Sequence, residues 1–434
     1  MADDASGQRR GNIGDHSEFL AFATVIANGY LDLTDPTGEI QKGKLNVMEV
    51  SREAVGQREK VGARKAAALV RRAYYIEGDD VMIKAEADGI GRRLCSKIEV
   101  SDLVSKLRGE LISWSQNRGA RETTDGAPDG AALDHYSESA NRLMALFEVG
   151  GLKAPSSSKS DLYLTFKQPN GIKVTQGFSV KSLMGSNSCL INHSGATLVT
   201  FEVFNCTPAR ALELEAAYCR EQPEAPSAAK RKPRRQAKPG PATMIPALAR
   251  DKDVQVKFSS IPDETFRGNL IGIDTSLPAM VAHVLYQRYL SGESSPREIV
   301  KLPASVEMMV QMGHPKADAS KTLERKVKDL FQRYAQGMNT AEPWDDQTEV
   351  KGGWVLVIKD GRVTGYCFED DDGFRKYLFD STYFDTPDVK RVPSEKKKIG
   401  AYVGRPYSIE GKTYIDLSLM VKFSKRSVSL SENN

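Results

Sequence analysis

Two short runs, DLYLTF (161–166) and GFSVKSLM (177–184), flank the turn cluster QPNG (168–171), and they restrict the local fold more than any other stretch. Apolar, aromatic and β-branched residues on both sides of a Pro-Asn-Gly turn predict an antiparallel β-hairpin. Alternate residues of a strand share a face, so Ser179 and Lys181 belong together. With the turn centred on Asn170, Asp161 faces Ser179 and has Lys181 as its diagonal neighbour. A slip of one residue sets Asp161 beside Phe178 instead. The first register gathers an acid, a hydroxyl and an amine at one end of the hairpin. The next predicted strand, TLVTFEVF (197–204), carries Glu202, the first downstream acid on a strand.

Around this block the chain divides by composition. Residues 1–14 read as a polar tail. DHSEFLAFATVIANGY (15–30) predicts a helix capped by Asp15 or Ser17, with Phe19, Phe22, Ala23 and Ile26 on one apolar face. The basic stretch from Arg52 to Ala73 has a helical pattern broken at Gly56 and Gly62. YYIEGDDVMIKA (74–85) predicts a hairpin, 101–114 an amphipathic helix, 119–132 a loop and 133–148 a further helix. Residues 220–242, rich in Pro, Ala, Lys and Arg, cannot form a packed core. From Asp251 the pattern is helical, and toward the end it turns to strands. WVLVIKDGRVTGYCF (354–368) and YSIEGKTYIDLSLMVKF (407–423) predict hairpins, with a short helix at 371–379 between them. These boundaries give a tail (1–14), N-terminal helices with a catalytic core (15–213), a basic insertion (214–250) and a helical and hairpin region suited to recognition or dimerisation (251–434).

The 434 residues are 40% hydrophobic and 27% charged, as in an ordinary globular protein with room for two or three compact units. No run reaches the roughly 20 apolar residues of a membrane helix. The polar N-terminus lacks a signal-peptide centre. Five scattered cysteines without a CxxC pair argue against a disulfide framework or structural zinc and suit the cytoplasm. A net charge of +4 permits a polyanionic partner without requiring one.

Phosphodiester hydrolysis needs a cation held by carboxylates and a lysine near the attacking water. Asp161 and Lys181 supply one acid and the lysine. Ser179 cannot be a strong metal ligand, and Glu202 on a neighbouring strand would fill the space it leaves.

LKAPSSSKSDLYLTF, GFSVKSLMGSNSCLIN and TLVTFEV together resemble the core of the HpaII family of type II restriction endonucleases. The family pattern is Lys-Ser-Asp, then Gly-Phe-Ser-Ile-Lys-Ser, a Leu-Gly-Ser loop, Leu-Asn and a Thr…Tyr-Glu strand. GDHSEFLAFATVIANGYLDL resembles its N-terminal helix. FRGNLIGIDTSLPAMVAHVL, GMNTAEPWDD, KGGWVLVIKDG, FRKYLFDSTYFDTP and KTYIDLSLMVKF resemble its C-terminal segments in order. The resemblance implies an α/β fold with a restriction-endonuclease-like PD-(D/E)xK core: a mixed central β-sheet flanked by helices, with N- and C-terminal elaborations. It implies Mg2+-dependent cleavage of double-stranded DNA at a short, CCGG-like palindrome, by a homodimer paired with a cognate DNA methyltransferase.

Carried over by position, Asp161 is the metal-binding aspartate, Lys181 the catalytic lysine, Ser179 the vacated acid position and Glu202 the relocated acid. Glu18 corresponds to a helix glutamate behind the metal site. Ser182, Ser186, Asn192 and Arg391 are candidate DNA contacts. The chain departs from the family pattern at His16 (Trp in the family), at Leu198 (Asn) and in DVKRVPSEKKK (388–398), which replaces a Ser-Arg-His block and bears on the target sequence.

Each residue also has an ordinary reading. A strand lysine is usually a solvated side chain, and Glu18 suits the positive end of a helix. His193 is a loop histidine outside the catalytic set. The run Lys230 to Arg235 could track phosphates or simply solubilise a loop. The acids from Glu369 to Asp372 favour the start of the following helix. Two rival functions share the same features: a DNA-binding protein on a nuclease scaffold that no longer cleaves, and a structure- or damage-specific nuclease.

Overall fold

A computed structural model of the chain describes residues 13–35, 39–55, 69–85, 91–121, 136–149, 151–152, 160–168, 170–184, 188–221, 239–340, 342–345, 350–368, 371–387 and 403–424. Its elements begin with α1 (Ile13–Asn28), β1 (Tyr30–Thr34), β2 (Ile40–Val55), β3 (Leu69–Glu77), β4 (Asp80–Ala85), β5 (Gly91–Ser96), α2 (Lys97–Arg121) and α3 (Glu138–Leu146). The central part holds β6 (Leu162–Lys167), β7 (Lys173–Ser182), β8 (Cys189–Ile191), β9 (Leu198–Phe204), α4 (Pro208–Glu221), α5 (Pro241–Arg250) and β10 (Gln255–Ser260). Helices α6 (Glu264–Ile273), α7 (Leu277–Ser291), α8 (Pro296–Ile299), α9 (Pro303–Gln311) and α10 (Ala319–Ala335) follow. The last elements are β11 (Gly353–Val357), β12 (Val363–Cys367), α11 (Asp371–Ser381), β13 (Thr382–Phe384), β14 (Pro406–Ile409), β15 (Lys412–Ser418) and β16 (Val421–Phe423).

These elements form two units. The described residues of the first lie within 13–188 and 350–371, and those of the second within 189–345 and 372–424. This division departs from the one read off composition. Residues 189–213 belong to the second unit, and the hairpin of β11 and β12 returns to the first because its strands pair there.

The first unit is a mixed α/β structure around a nine-stranded sheet in the order β1-β12-β11-β7-β6-β2-β3-β4-β5. Two pairings are parallel, β1 with β12 and β11 with β7, and the rest are antiparallel. Helix α1 packs on β7, β11 and β2, and α2 covers α1 in turn. Burial of α1 extends well beyond the expected single face: Leu20, Ala21, Val25 and Ala27 are buried with Phe19, Phe22, Ala23 and Ile26. A helix apolar on all sides belongs inside a core. Phe19, Phe22, Tyr74 and Phe147 meet edge to face or tilted at centroid distances of 5.2–6.4 Å. Each buried ring is worth about 1.5–3 kcal/mol in transfer from water.

The helix expected across Arg52–Ala73 is absent from its described part. Residues 52–55 end the long strand β2 and residues 69–73 begin β3, and the two pair directly from Val50↔Tyr74 to Val55↔Leu69. Arg, Glu and Ala favour helix locally, yet pairing on both edges of β2 with β6 and β3 overrides that preference. The hairpin of β3 and β4 forms as expected, and Gly78 at its turn has φ +59°.

The second unit carries a four-stranded antiparallel sheet, β10-β9-β15-β14, and a three-stranded one, β13-β16-β8. Helix α7 packs on the four-stranded sheet, where Tyr286 meets Phe201 at 5.9 Å. Buried Asn269 on α6 uses both ends of its amide: Nδ2 donates to the carbonyls of Asn339 and Glu342, and Oδ1 accepts from the Trp344 N–H. That ties GMNTAEPW to the helix. No described helix is long and apolar enough to cross a membrane.

Candidate active site

The hairpin of β6 and β7 has the register centred on Asn170, with Leu162 opposite Phe178 and Lys167 opposite Lys173. The Asp161 N–H bonds the Phe178 carbonyl at 3.1 Å and extends the ladder by one residue. The turn is closed by Asn170, whose Oδ1 accepts from the Ile172 N–H, and by Gly171 at φ +82°.

Asp161, Ser179 and Lys181 are joined in a chain of hydrogen bonds. The Lys181 ammonium donates to Ser179 Oγ at 3.0 Å, and Ser179 Oγ donates to Asp161 Oδ2 at 3.0 Å. The Val180 N–H donates to the same carboxylate oxygen at 2.6 Å. Both of these bonds to Asp161 fall on Oδ2. Ser179, the residue without an acid, thus spaces the lysine from the aspartate and orients both.

Strand β11 extends this row. Trp354 stands beside Ser179 and Leu356 beside Lys181 in the parallel register. The buried Trp354 ring lies 6.0 Å from Lys181 Nζ. An indole face beside an ammonium attracts it and limits its wandering. Trp354 was not singled out from sequence. Its place follows from the parallel pairing of β11 with β7, which no local pattern announces.

Behind the hairpin, Ser182 Oγ donates to Ser17 Oγ at 2.9 Å, and Ser17 donates to the Ile13 carbonyl, which pins the end of β7 to α1. Glu18 on α1 accepts from Arg52 Nη2 at 3.1 Å, and the same nitrogen donates to the Leu152 carbonyl. Arg52 is buried, 3% exposed. Burial pushes its guanidinium below the ordinary value, while Glu18, Asp161 and Tyr74 pull the other way. Arg52 lay in the stretch expected to be helical; a strand reading would have placed it on the face of Val50, toward α1.

The other expected residues fall elsewhere. Glu202 is on β9, which pairs with β10 and β15 rather than with β7, so the expected place on a neighbouring strand of the hairpin's sheet does not hold. There Glu202 lies across from Lys257 and Tyr414 and pairs with Lys412 at 3.3 Å. Asn192 is exposed, and its carbonyl accepts from Thr197 Oγ1. His193 Nδ1 is 2.5 Å from Ser418 Oγ. Ser186, Arg391 and the run Lys230 to Arg235 lie outside the described residues.

Among the described residues no three His, Cys, Asp or Glu side chains cluster as a cation cage. Magnesium does not require one. It is commonly held by one or two carboxylates, with water and substrate phosphate completing its shell. A carboxylate anchored through one oxygen beside a fixed lysine fits that mode.

Comparison with known proteins agrees with this chemistry. The model of the family described as HpaII restriction endonuclease matches residues 131–423, which include Asp161, Ser179, Lys181 and Glu202. The protein described as "Type II restriction enzyme HpaII", from Haemophilus parainfluenzae, is 27% identical over 273 residues, covering 63% of this chain and 67% of that protein. No solved structure matches. With two thirds of its length matched and the hairpin residues in place, the chain belongs to the HpaII restriction endonuclease family of type II site-specific deoxyribonucleases.

Proposed function

We propose that the protein cleaves double-stranded DNA at a short CCGG-like palindrome by Mg2+-dependent hydrolysis, on a core of the PD-(D/E)xK type. The hydrogen-bonded chain Asp161–Ser179–Lys181 carries this reading. Asp161, fixed by Ser179 Oγ and the Val180 N–H, would be a holder of the cation. Bound magnesium would supply an acidified water and neutralise charge developing on the phosphate. Lys181, held between Ser179 and the Trp354 ring, places a positive charge beside the attacked phosphate. Glu18 supports the site from behind through Arg52. The family pattern gives the role of relocated acid to Glu202, and Ser182, Ser186, Asn192 and Arg391 remain candidate DNA contacts.

A palindromic target favours a two-fold homodimer, because site and protein then share symmetry. Such an enzyme acts in the cytoplasm beside a methyltransferase that protects host DNA. Incubation of the protein with unmethylated plasmid and magnesium tests the reading. Discrete fragments support it. A smear points to a nuclease without site preference, and intact DNA with a gel shift points to a scaffold that only binds.

A further inference from the structure

The register of β2 sets a second carboxylate beside Asp161. Strand β2 pairs with β6 at Val50↔Leu164 and Ser51↔Tyr163. Continued by two residues, that register brings Glu53 opposite Asp161. On the other side of β6, Asp161 aligns with Ser179, and Ser179 with Trp354. Asp161, Ser179 and Trp354 lie in one row across the sheet, with Lys181 one step along, and Glu53 falls in line with them where the β2–β6 register is extended past Ser51.

Side-chain contacts put Glu53 on the same face. Arg71, opposite Glu53 on β3, donates to Glu53 Oε1 at 3.4 Å. Its guanidinium lies 3.8 Å from the centre of the Tyr163 ring. Tyr163 follows Asp161 by two residues and shares its face. Arg52, the residue before Glu53, points the other way, to Glu18. Glu53 Oε2 makes no hydrogen bond among the described residues. Arg71 is steadied by Tyr163 and holds Glu53 through one oxygen.

We propose that Glu53 is the second carboxylate of the cation site, facing Asp161 across β2 and β6, with Arg71 as its positioning residue. The proposal rests on the Asp161–Lys181 reading above and deepens it: the cation would sit between two acids of one sheet. Two carboxylates, one from each of two adjacent strands, suit a magnesium ion that keeps water in the rest of its shell.

Mn2+ serves as the probe, its free-ion electron paramagnetic resonance signal being read on the full chain without DNA. Wild type, Glu53→Gln, Asp161→Asn, Arg71→Ala and Glu264→Gln are compared, with melting temperatures alongside. Glu53→Gln and Asp161→Asn are each expected to weaken Mn2+ binding at least about 10-fold, the lower end of what loss of even an outer-shell metal partner costs. Arg71→Ala, which keeps both carboxylates but releases Glu53, is expected to weaken binding less than Glu53→Gln does, and the exposed control Glu264→Gln to retain it. Wild-type Mn2+ affinity in Glu53→Gln, with binding lost in Asp161→Asn, overturns the proposal and leaves the Asp161 reading standing. A loss in Arg71→Ala as large as in Glu53→Gln also overturns it, because Glu53 would then act only through its ion pair. Wild-type binding and cleavage in Asp161→Asn would instead defeat the reading beneath. Should Glu53→Gln fail to fold, Glu53→Ala is read in its place, and wild-type Mn2+ affinity in it overturns the proposal.

Discussion

The β6–β7 hairpin and strand β9 are close in sequence and carry the three residues of the family pattern, yet their surroundings differ. In the nine-stranded sheet, Asp161 and Lys181 are linked through Ser179, backed by a buried tryptophan and tied to α1. In the four-stranded sheet, Glu202 lies between Lys257 and Tyr414 and is paired with Lys412, whose side chain is 60% exposed. The first arrangement joins half-buried polar groups in one hydrogen-bonded chain. The second is a surface ion pair, the kind that contributes little. A sequence motif thus names the acids of a site without fixing the sheet on which each is mounted.

The largest expected effect falls on the hairpin. Asp161→Ala and Lys181→Ala should each reduce plasmid cleavage by ~100-fold or more, while a gel shift shows duplex DNA still bound. Glu202→Ala sharpens the contrast. The family pattern predicts lost cleavage with retained binding, and undiminished cleavage would assign the acid chemistry wholly to the first unit, on Glu53.

Arg52→Met tests the support behind the hairpin. It removes the guanidinium that bonds Glu18 and the Leu152 carbonyl and should cost about 1.5–3 kcal/mol of stability in urea unfolding. A stability equal to wild type would mean that Arg52 does not tie α1 to β2. Ser179→Ala should lower cleavage about 10-fold, because a group that orients a metal ligand is lost while the ligand stays. The smallest effect belongs to the second sheet: Lys412→Ala removes only an exposed partner of Glu202 and should leave the melting temperature unchanged.

Local signals explain what sequence could show. The hairpin was legible because QPNG marks the turn between two strand-like runs, while its register was left between two choices until the pairing of Leu162 with Phe178 decided it. The same holds for the KDGR turn between β11 and β12, where Gly361 has φ +73° and a Cβ would meet Arg108 Cγ at 2.4 Å. The order of family segments from GDHSEF to KTYIDLSLMVKF was legible as well.

Non-local pairing was not legible. Arg52 and Glu53 looked helical because Arg, Glu and Ala carry helix propensity. Only pairing of β2 with both β3 and β6 makes them strand residues on opposite faces. Trp354 joins the site through a parallel contact between strands distant in sequence. Glu202 was expected next to the hairpin because its strand follows closely, but β9 takes its neighbours from β10 and β15.

The most direct test is one gel. Lys181→Ala and wild type are incubated with the same unmethylated plasmid and magnesium, and binding to a duplex fragment is followed in parallel. Discrete fragments from wild type, with uncut but bound DNA from Lys181→Ala, is the predicted result. Cutting by Lys181→Ala at the wild-type rate would contradict it and remove the β6–β7 hairpin from the chemistry.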